Sequence, residues 1–242
     1  MGKLIKLVGM LSVLAFPISV LCYRLGLLPF HSGLQIIQIG ALAGVAAFVV
    51  GILFFLIRRK ADTVGAKAAL VGAIIGILPV IPLGLQAKKA RSLPFIHNVS
   101  TDTVNAPEFD KIASIRTESD NPHTYNPNQQ IGETGTLAQL QLEAYPNVKT
   151  YASKLSPEEA LAKAEEIANE LGWEIVNINA EKGILEATET TLLWGFKDDI
   201  IVRVEPENGQ TLIDLHSVSR FGGSDLGVNA ARIEKFLARI SR

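Results

Sequence analysis

Three long apolar stretches fill most of the first 91 residues, and they constrain this chain more than any other feature. Leu7–Tyr23, Leu34–Ile57 and Ala68–Ala87 are uncharged runs of 17, 24 and 20 residues. A helix rises about 1.5 Å per residue and a bilayer's hydrocarbon core is about 30 Å thick, so roughly 20 apolar residues suffice to cross. The pattern predicts three transmembrane helices, at about residues 4–23, 34–57 and 68–87. Pro17 interrupts the first, which gains length by extending back to Leu4 with Lys6 reaching to the interface. Pro79 and Pro82 predict a kink or an early end in the third.

Charge divides the chain in the same way. Residues 1–91 carry ten Lys/Arg and one acid, Asp62, for +9, whereas residues 92–242 carry 13 Lys/Arg and 23 acids, for −10. A uniform globule and a basic nucleic-acid binder are both excluded. No acid or histidine lies inside the three spans, which argues against an ion or proton pathway. No small-x-small site follows the first span, and Leu21 precedes Cys22 where a lipoprotein signal needs a small residue, so the span is expected to be retained. Cys22 is the single cysteine, so no intrachain disulfide forms.

Basic residues set the expected orientation. Lys3, Lys6, Arg58, Arg59, Lys60 and Lys67 fall on one side, six against the four of Arg24, Lys88, Lys89 and Arg91. The N-terminus is expected in the cytoplasm and the acidic part on the far side, the periplasm if the source is a Gram-negative bacterium. Gly40 with Gly44 and Gly72 with Gly76 fit a small-xxx-small pattern. They serve either self-association or packing among the chain's own helices.

After the spans, residues 92–135 read as an extended polar connector broken by Pro94, Pro107, Pro122 and Pro127. Residues 136–242 read as a soluble α+β domain. A short helix is expected over 136–143. A second starts at Ser156-Pro157-Glu158-Glu159, a capping box with proline at the first helical position, and ends at Gly172. Strands are expected over 173–179, 184–190, 200–205 and 211–218, and a final helix from Ser224-Asp225 onward. Asn208-Gly209 predicts a two-residue hairpin turn that pairs Val204 with Ile213, Val202 with Leu215, Arg203 with Asp214 and Ile201 with His216. The expected architecture is a four-stranded antiparallel sheet covered on one face by two helices.

Several segments match a known pattern. They are Phe95–Asp102 with Pro107 and Phe109; Tyr145-Pro146; Glu186–Thr191 running into Trp194–Ile200 and Arg203; and Ser217–Asn229 with Arg232. In these the chain resembles an uncharacterised family, domain of unknown function 1499. The family pattern has a double proline before the phenylalanine, and this chain has only Pro107. The resemblance implies a membrane-associated bacterial or plastid protein and supplies no catalytic residues.

Three constellations are candidates for function. Arg220, Gly222, Gly223, Ser224, Asn229 and Arg232 surround a helix entrance, where backbone N–H groups and guanidinium groups suit an anion. Capping by Ser224 and Asp225, with the arginines paired to acids, explains the same residues. Leu192, Leu193, Trp194 and Phe196 form an apolar loop that either meets a membrane interface or a partner, or closes the core. Glu186 or Glu189 with Arg203, Asp214 and His216 form a polar sheet face, expected to be solvated, though paired carboxylates can do acid–base chemistry. His97, His123 and His216 lack ligand spacing, so no metal or other cofactor is expected. The expected function is a binding or assembly module of the cell envelope, with membrane lipids, envelope proteins or its own copy as partners and no nucleic acid. The alternative is an envelope lipid hydrolase or transferase using Arg220, Asp225 or Arg203 with Asp198 and Asp199.

Overall fold

The computed structural model describes all residues, 1–242. They form two compact units, Met1–Lys89 and Ala90–Arg242.

The first unit holds α1 (Gly2–Arg24), α2 (Phe30–Arg58), α3 (Thr63–Ile77) and most of α4 (Val80–Ser92). Three helical segments, Gly2–Arg24, Phe30–Arg58 and Thr63–Ser92, are long and apolar enough to cross a membrane. Pro17 does not interrupt α1, which runs through it unbroken. The third segment's α-helix is interrupted at Leu78-Pro79, between α3 and α4, because proline has no N–H and its ring collides with the preceding turn. Asp62 caps α3, its Oδ1 accepting the Gly65 N–H at 2.9 Å.

Glycines set the helix spacing. A Cβ on Gly9 would strike the Gly72 backbone, one on Gly44 the Gly76 carbonyl, and one on Gly72 the backbone of Ile5 and Lys6. Gly40 lies against Ala15. Gly40, Gly44, Gly72 and Gly76 are thus all in contact with this chain's own helices, where small residues let backbones approach. Large apolar side chains such as Leu11, Leu42, Leu53 and Ile74 point outward.

The second unit is α+β. After α4 come β1 (Asn98–Ser100), α5 (Lys111–Ile115), α6 (Leu137–Ala144), β2 (Tyr151–Ser153), α7 (Pro157–Glu170), β3 (Glu174–Asn179), β4 (Ile184–Thr190), β5 (Lys197–Glu207), β6 (Gln210–Ser219) and α8 (Val228–Ile240). The sheet order is β1-β6-β5-β4-β3, with β2 also paired to β6. All pairs are antiparallel. The hairpin register is the expected one, with Val204 opposite Ile213 and Arg203 opposite Asp214. Asn208 and Gly209 both take positive φ, 49° and 81°, as the tight turn requires.

The sheet has six strands rather than the expected four. β1 and β2 have three residues each, too short to display a period-two pattern, and they cover the outer edge of β6 that would otherwise stay unpaired. Gln141 on α6 holds β1 in place. Its Nε2 donates to the Ser100 carbonyl at 2.7 Å and its Oε1 accepts the Ser100 N–H at 3.0 Å.

Helices α7 and α8 share one face of the sheet. Ala160, Ala164 and Ile167 of α7 and Ile233 and Phe236 of α8 bury Leu185, Ala187, Ile200, Val202, Val204, Ile213 and Leu215. Trp173 stacks on Phe236 at 5.7 Å. The α7 capping box forms as expected, with Ser156 and Glu159 each bonded to the other's backbone N–H. The last helix begins at Val228, later than expected, because Leu226 and Gly227 take positive φ. Asp225 still caps it, accepting N–H bonds from Gly227 at 2.9 Å and Asn229 at 2.7 Å.

The other face was expected to be solvated, and it is not. Residues 98–125 pass over it, and Phe109 and Ile112 form a second apolar cluster with Ile184, Ile201 and Val218. The polar residues of that face are buried, Glu186 and Asp199 at 0% exposure, His216 at 1% and Asp214 at 3%. Each is an attachment point. Glu186 accepts the backbone N–H groups of Asp110, Lys111 and Ile112 at 2.8, 2.9 and 3.1 Å, and the Asn177 amide at 2.8 Å. Asp214 accepts the Thr101 and Thr150 hydroxyls at 2.7 and 2.6 Å, and Arg203 at 3.1 Å. His216 meets the Pro107 carbonyl at 2.8 Å through Nδ1 and the Asn98 side chain at 2.6 Å through Nε2. Asn98 is itself buried.

Candidate functional site

One end of the sheet gathers most of the residues singled out from the sequence. The junction of β4 and β5, the segment after β6, and the residues just beyond α4 all meet there. Strand geometry explains the charge layout. Asp198 and Asp199 are neighbours on β5, so their side chains leave opposite faces. Asp198 points to the helix face and meets Arg232 of α8 at 2.6 Å. Asp199 points to the connector face and meets Arg116 at 2.6 Å and Arg220 at 2.8 Å.

Both centres are closely hydrogen-bonded. Arg220 grips Asp199 with Nε and Nη2, both at 2.8 Å, while Thr188 donates to the same carboxylate at 2.8 Å. This two-point contact with Asp199 raises the Arg220 pKa above its ordinary value. Arg116 also donates to the Asn121 carbonyl at 2.7 Å. Arg232 donates to Asp198, Glu189, Asn229 and Ser217. Ser217 in turn donates to Asn229 at 2.7 Å, and Asn229 donates to the His97 carbonyl at 2.9 Å and Ser219 at 3.0 Å. Burial raises the Asp225 pKa, against the pull of the two N–H groups it caps. Burial lowers that of His97.

The expected anion residues therefore do come together, but their donors are committed. Arg220 and Arg232 face internal carboxylates, Asn229 bridges two segments, and Asp225 occupies the helix N-terminus. Gly222, at φ 89°, has its carbonyl bonded to the Asn121 amide at 2.8 Å. Gly223 lies against the Phe95 ring. Ser224 accepts the Leu226 N–H at 3.3 Å. Arg203 is not part of this cluster. It pairs with Asp214, Asp102 and Glu205 beside a separate cavity of about 370 Å³.

Sequence reasoning missed Arg116, Thr188 and Asn121. Arg116 belongs to a segment with no periodicity, and its partner Asp199 lies 83 residues away.

Above this charged base sits an apolar surface. The loop after β4 is tied by the Thr191 N–H to the Phe196 carbonyl at 2.8 Å, and by the Phe196 N–H to the Thr191 hydroxyl at 2.9 Å. Gly195 takes φ 70° inside it. Trp194 stacks on Phe196 at 6.2 Å, and Phe196 on Phe221 at 5.1 Å. Leu192 is 91% exposed, Phe95 69%, Leu193 52% and Phe221 41%. Leu192 and Leu193 lie at the surface, and Trp194 and Phe196 are half-buried.

The family model described as a protein of unknown function (DUF1499) matches residues 98–240. The chain belongs to this family. The match runs from β1 to the last residue of α8, so it takes in the charged base, the apolar loop and the connector that covers the second sheet face. No curated protein matches the chain. Family membership carries no activity with it.

Proposed function

We propose that this protein is a membrane-anchored binding or assembly module of the cell envelope, with its N-terminus in the cytoplasm and its α+β domain on the far side. The anchor reading rests on the three apolar helices. The orientation rests on the excess of basic residues flanking α1 and joining α2 to α3.

The observation that carries the binding role is the apolar surface formed by Leu192, Leu193, Phe221 and Phe95 over the Trp194–Phe196–Phe221 stack. Contiguous apolar surface on an acidic domain marks a contact site. The base beneath it is rigid, since Arg116, Arg220 and Arg232 lock four chain segments together. The surface is thus presented as a preformed shape that pays little ordering entropy on contact. The same pairing counts against an envelope hydrolase built on Arg220 with Asp198 and Asp199. Ser217, the hydroxyl nearest those arginines, gives its proton to Asn229 and accepts from Arg232.

A photo-crosslinking residue at Leu193, introduced into the full chain in native membranes, tests this role. Crosslinks to envelope protein or lipid are expected there and not from the same probe at exposed Glu165 on α7. Equal yields from both positions would refute the role.

A further inference from the structure

We infer that the partner of the apolar end is the bilayer interface itself, so that the Leu192–Phe196 loop, Phe95 and Phe221 are immersed at the headgroup–acyl boundary. This inference rests on the reading of that end as the contact surface, and names its occupant. Three observations carry it.

The first is tethering. Phe95 and Leu93 belong to this end: Phe95 lies against Gly223, and Leu93 lies beside Gly227. Both follow directly on α4, which closes the third membrane-length helix at Ser92. Three extended residues span at most about 11 Å. Leu93 and Phe95 of the apolar end are therefore joined to the end of α4 by no more than three residues of chain.

The second is residue type. Leucine, phenylalanine and tryptophan on a loop, with Lys88, Lys89 and Arg91 on the preceding helix and Lys197 at the loop's base, make the composition favoured at a lipid interface. Aromatic rings sit at headgroup depth, apolar groups enter about 5–10 Å, and basic groups stay among the phosphates.

The third is charge. The domain is acidic as a whole, which opposes an anionic lipid surface. At this end Asp198 and Asp199 are turned inward. Asp199 is 0% exposed and Asp198 4%, and with Glu189 they pair with three arginines. The exposed groups at this end include Leu192, Leu193, Phe95, Phe221 and Lys197.

The chain contains two tryptophans, Trp173 and Trp194, which makes the test direct. Trp173 is buried against Phe236 in the core, whereas Trp194 sits in the loop. The full chain is reconstituted in phosphatidylcholine–phosphatidylglycerol vesicles with and without lipids brominated high on the acyl chain. In Trp173→Phe, emission should fall about twofold in the brominated bilayer, and in Trp194→Phe it should stay unchanged. If Trp173→Phe does not fold, the difference between the wild type and Trp194→Phe reports the same quantity. Absence of quenching of Trp194 overturns the inference. If the Leu193 photoprobe then captures a protein, the contact-surface reading survives without the lipid. If it captures nothing, both fall.

Discussion

Replacing Glu186 by glutamine should release the connector from the second face of the sheet while leaving the helix face folded. Glu186 is fully buried, and its two oxygens accept four donors, three of them the first backbone N–H groups of the α5 segment. Glutamine has one acceptor oxygen where glutamate has two, so two donors lose their partner and meet an NH2 group instead. An unsatisfied buried donor costs about 1–3 kcal/mol, so the loss of two is roughly 2–6 kcal/mol. That is enough to open a locally held segment, and over most of its range below the global stability of about 5–15 kcal/mol usual for a domain. Hydrogen exchange of the full chain in nanodiscs reads it. Amides at Asp110, Lys111 and Ile112 should exchange on the order of a hundredfold faster, matching about 3 kcal/mol. Those of α7 and β5 should be little changed. Glu165→Gln, on the exposed face of α7, should alter neither. If exchange at 110–112 stays at its wild-type rate, Glu186 does not hold the connector and the account of this face is wrong.

Other perturbations have defined outcomes. Burial pushes the His216 pKa down to about 4 from 6.5, so between those values the unfolded chain binds more protons and stability falls as pH drops from about 6.5 to 4, by about 3 kcal/mol in full. The ring faces two oxygens, the Pro107 carbonyl at Nδ1 and Asn98 Oδ1 at Nε2, while the Asn98 NH2 donates to the Thr124 carbonyl; a flat urea-midpoint profile over this range would mean that these oxygens hold the ring as an imidazolium. Arg232→Ala should cost about 3–5 kcal/mol, since Asp198 is left buried without its guanidinium. Arg220→Ala should cost less, because Asp199 keeps Arg116 and Thr188; equal losses in thermal melts would contradict the two-centre layout. Gly72→Leu should destabilise the helical unit by about 1–3 kcal/mol or more through its clash with Ile5 and Lys6. Gly84→Leu, which meets open space, should leave the detergent melting temperature unchanged.

What could be read ahead of the structure was local. Ser156 and Glu159 announce α7 within four residues, Asn208-Gly209 fixes the β5–β6 register through a turn, and a run of 24 apolar residues needs no partner to be recognised as a span. Arg203 opposite Asp214 follows from that turn alone. What could not be read depends on distant partners. Glu186, Asp199, Asp214 and His216 alternate with apolar neighbours, which by itself signals a wet face. They are buried because Lys111, Arg116, Thr101 and Pro107 reach them from 75 to 113 residues away. No periodicity marks those four residues. β1 and β2 are invisible for a related reason, since three residues become a strand only through the free edge of β6. The candidate site was half legible. Arg220, Asn229 and Arg232 do converge, yet only the fold reveals that Asp198 and Asp199 serve opposite faces and take up the charge. The apolar loop was found from its composition, and Leu192 and Leu193 in it are exposed.

The central claim is a membrane-anchored domain presented outside the cytoplasm, and thiol labelling tests it most directly. Gln130 is exposed in the connector, so Gln130→Cys in a Cys22→Ser background gives one reactive position on the domain. A membrane-impermeant maleimide should label it once the outer barrier is opened and the cytoplasmic membrane left intact. Labelling that appears only after that membrane is lysed would put the domain in the cytoplasm and contradict the account.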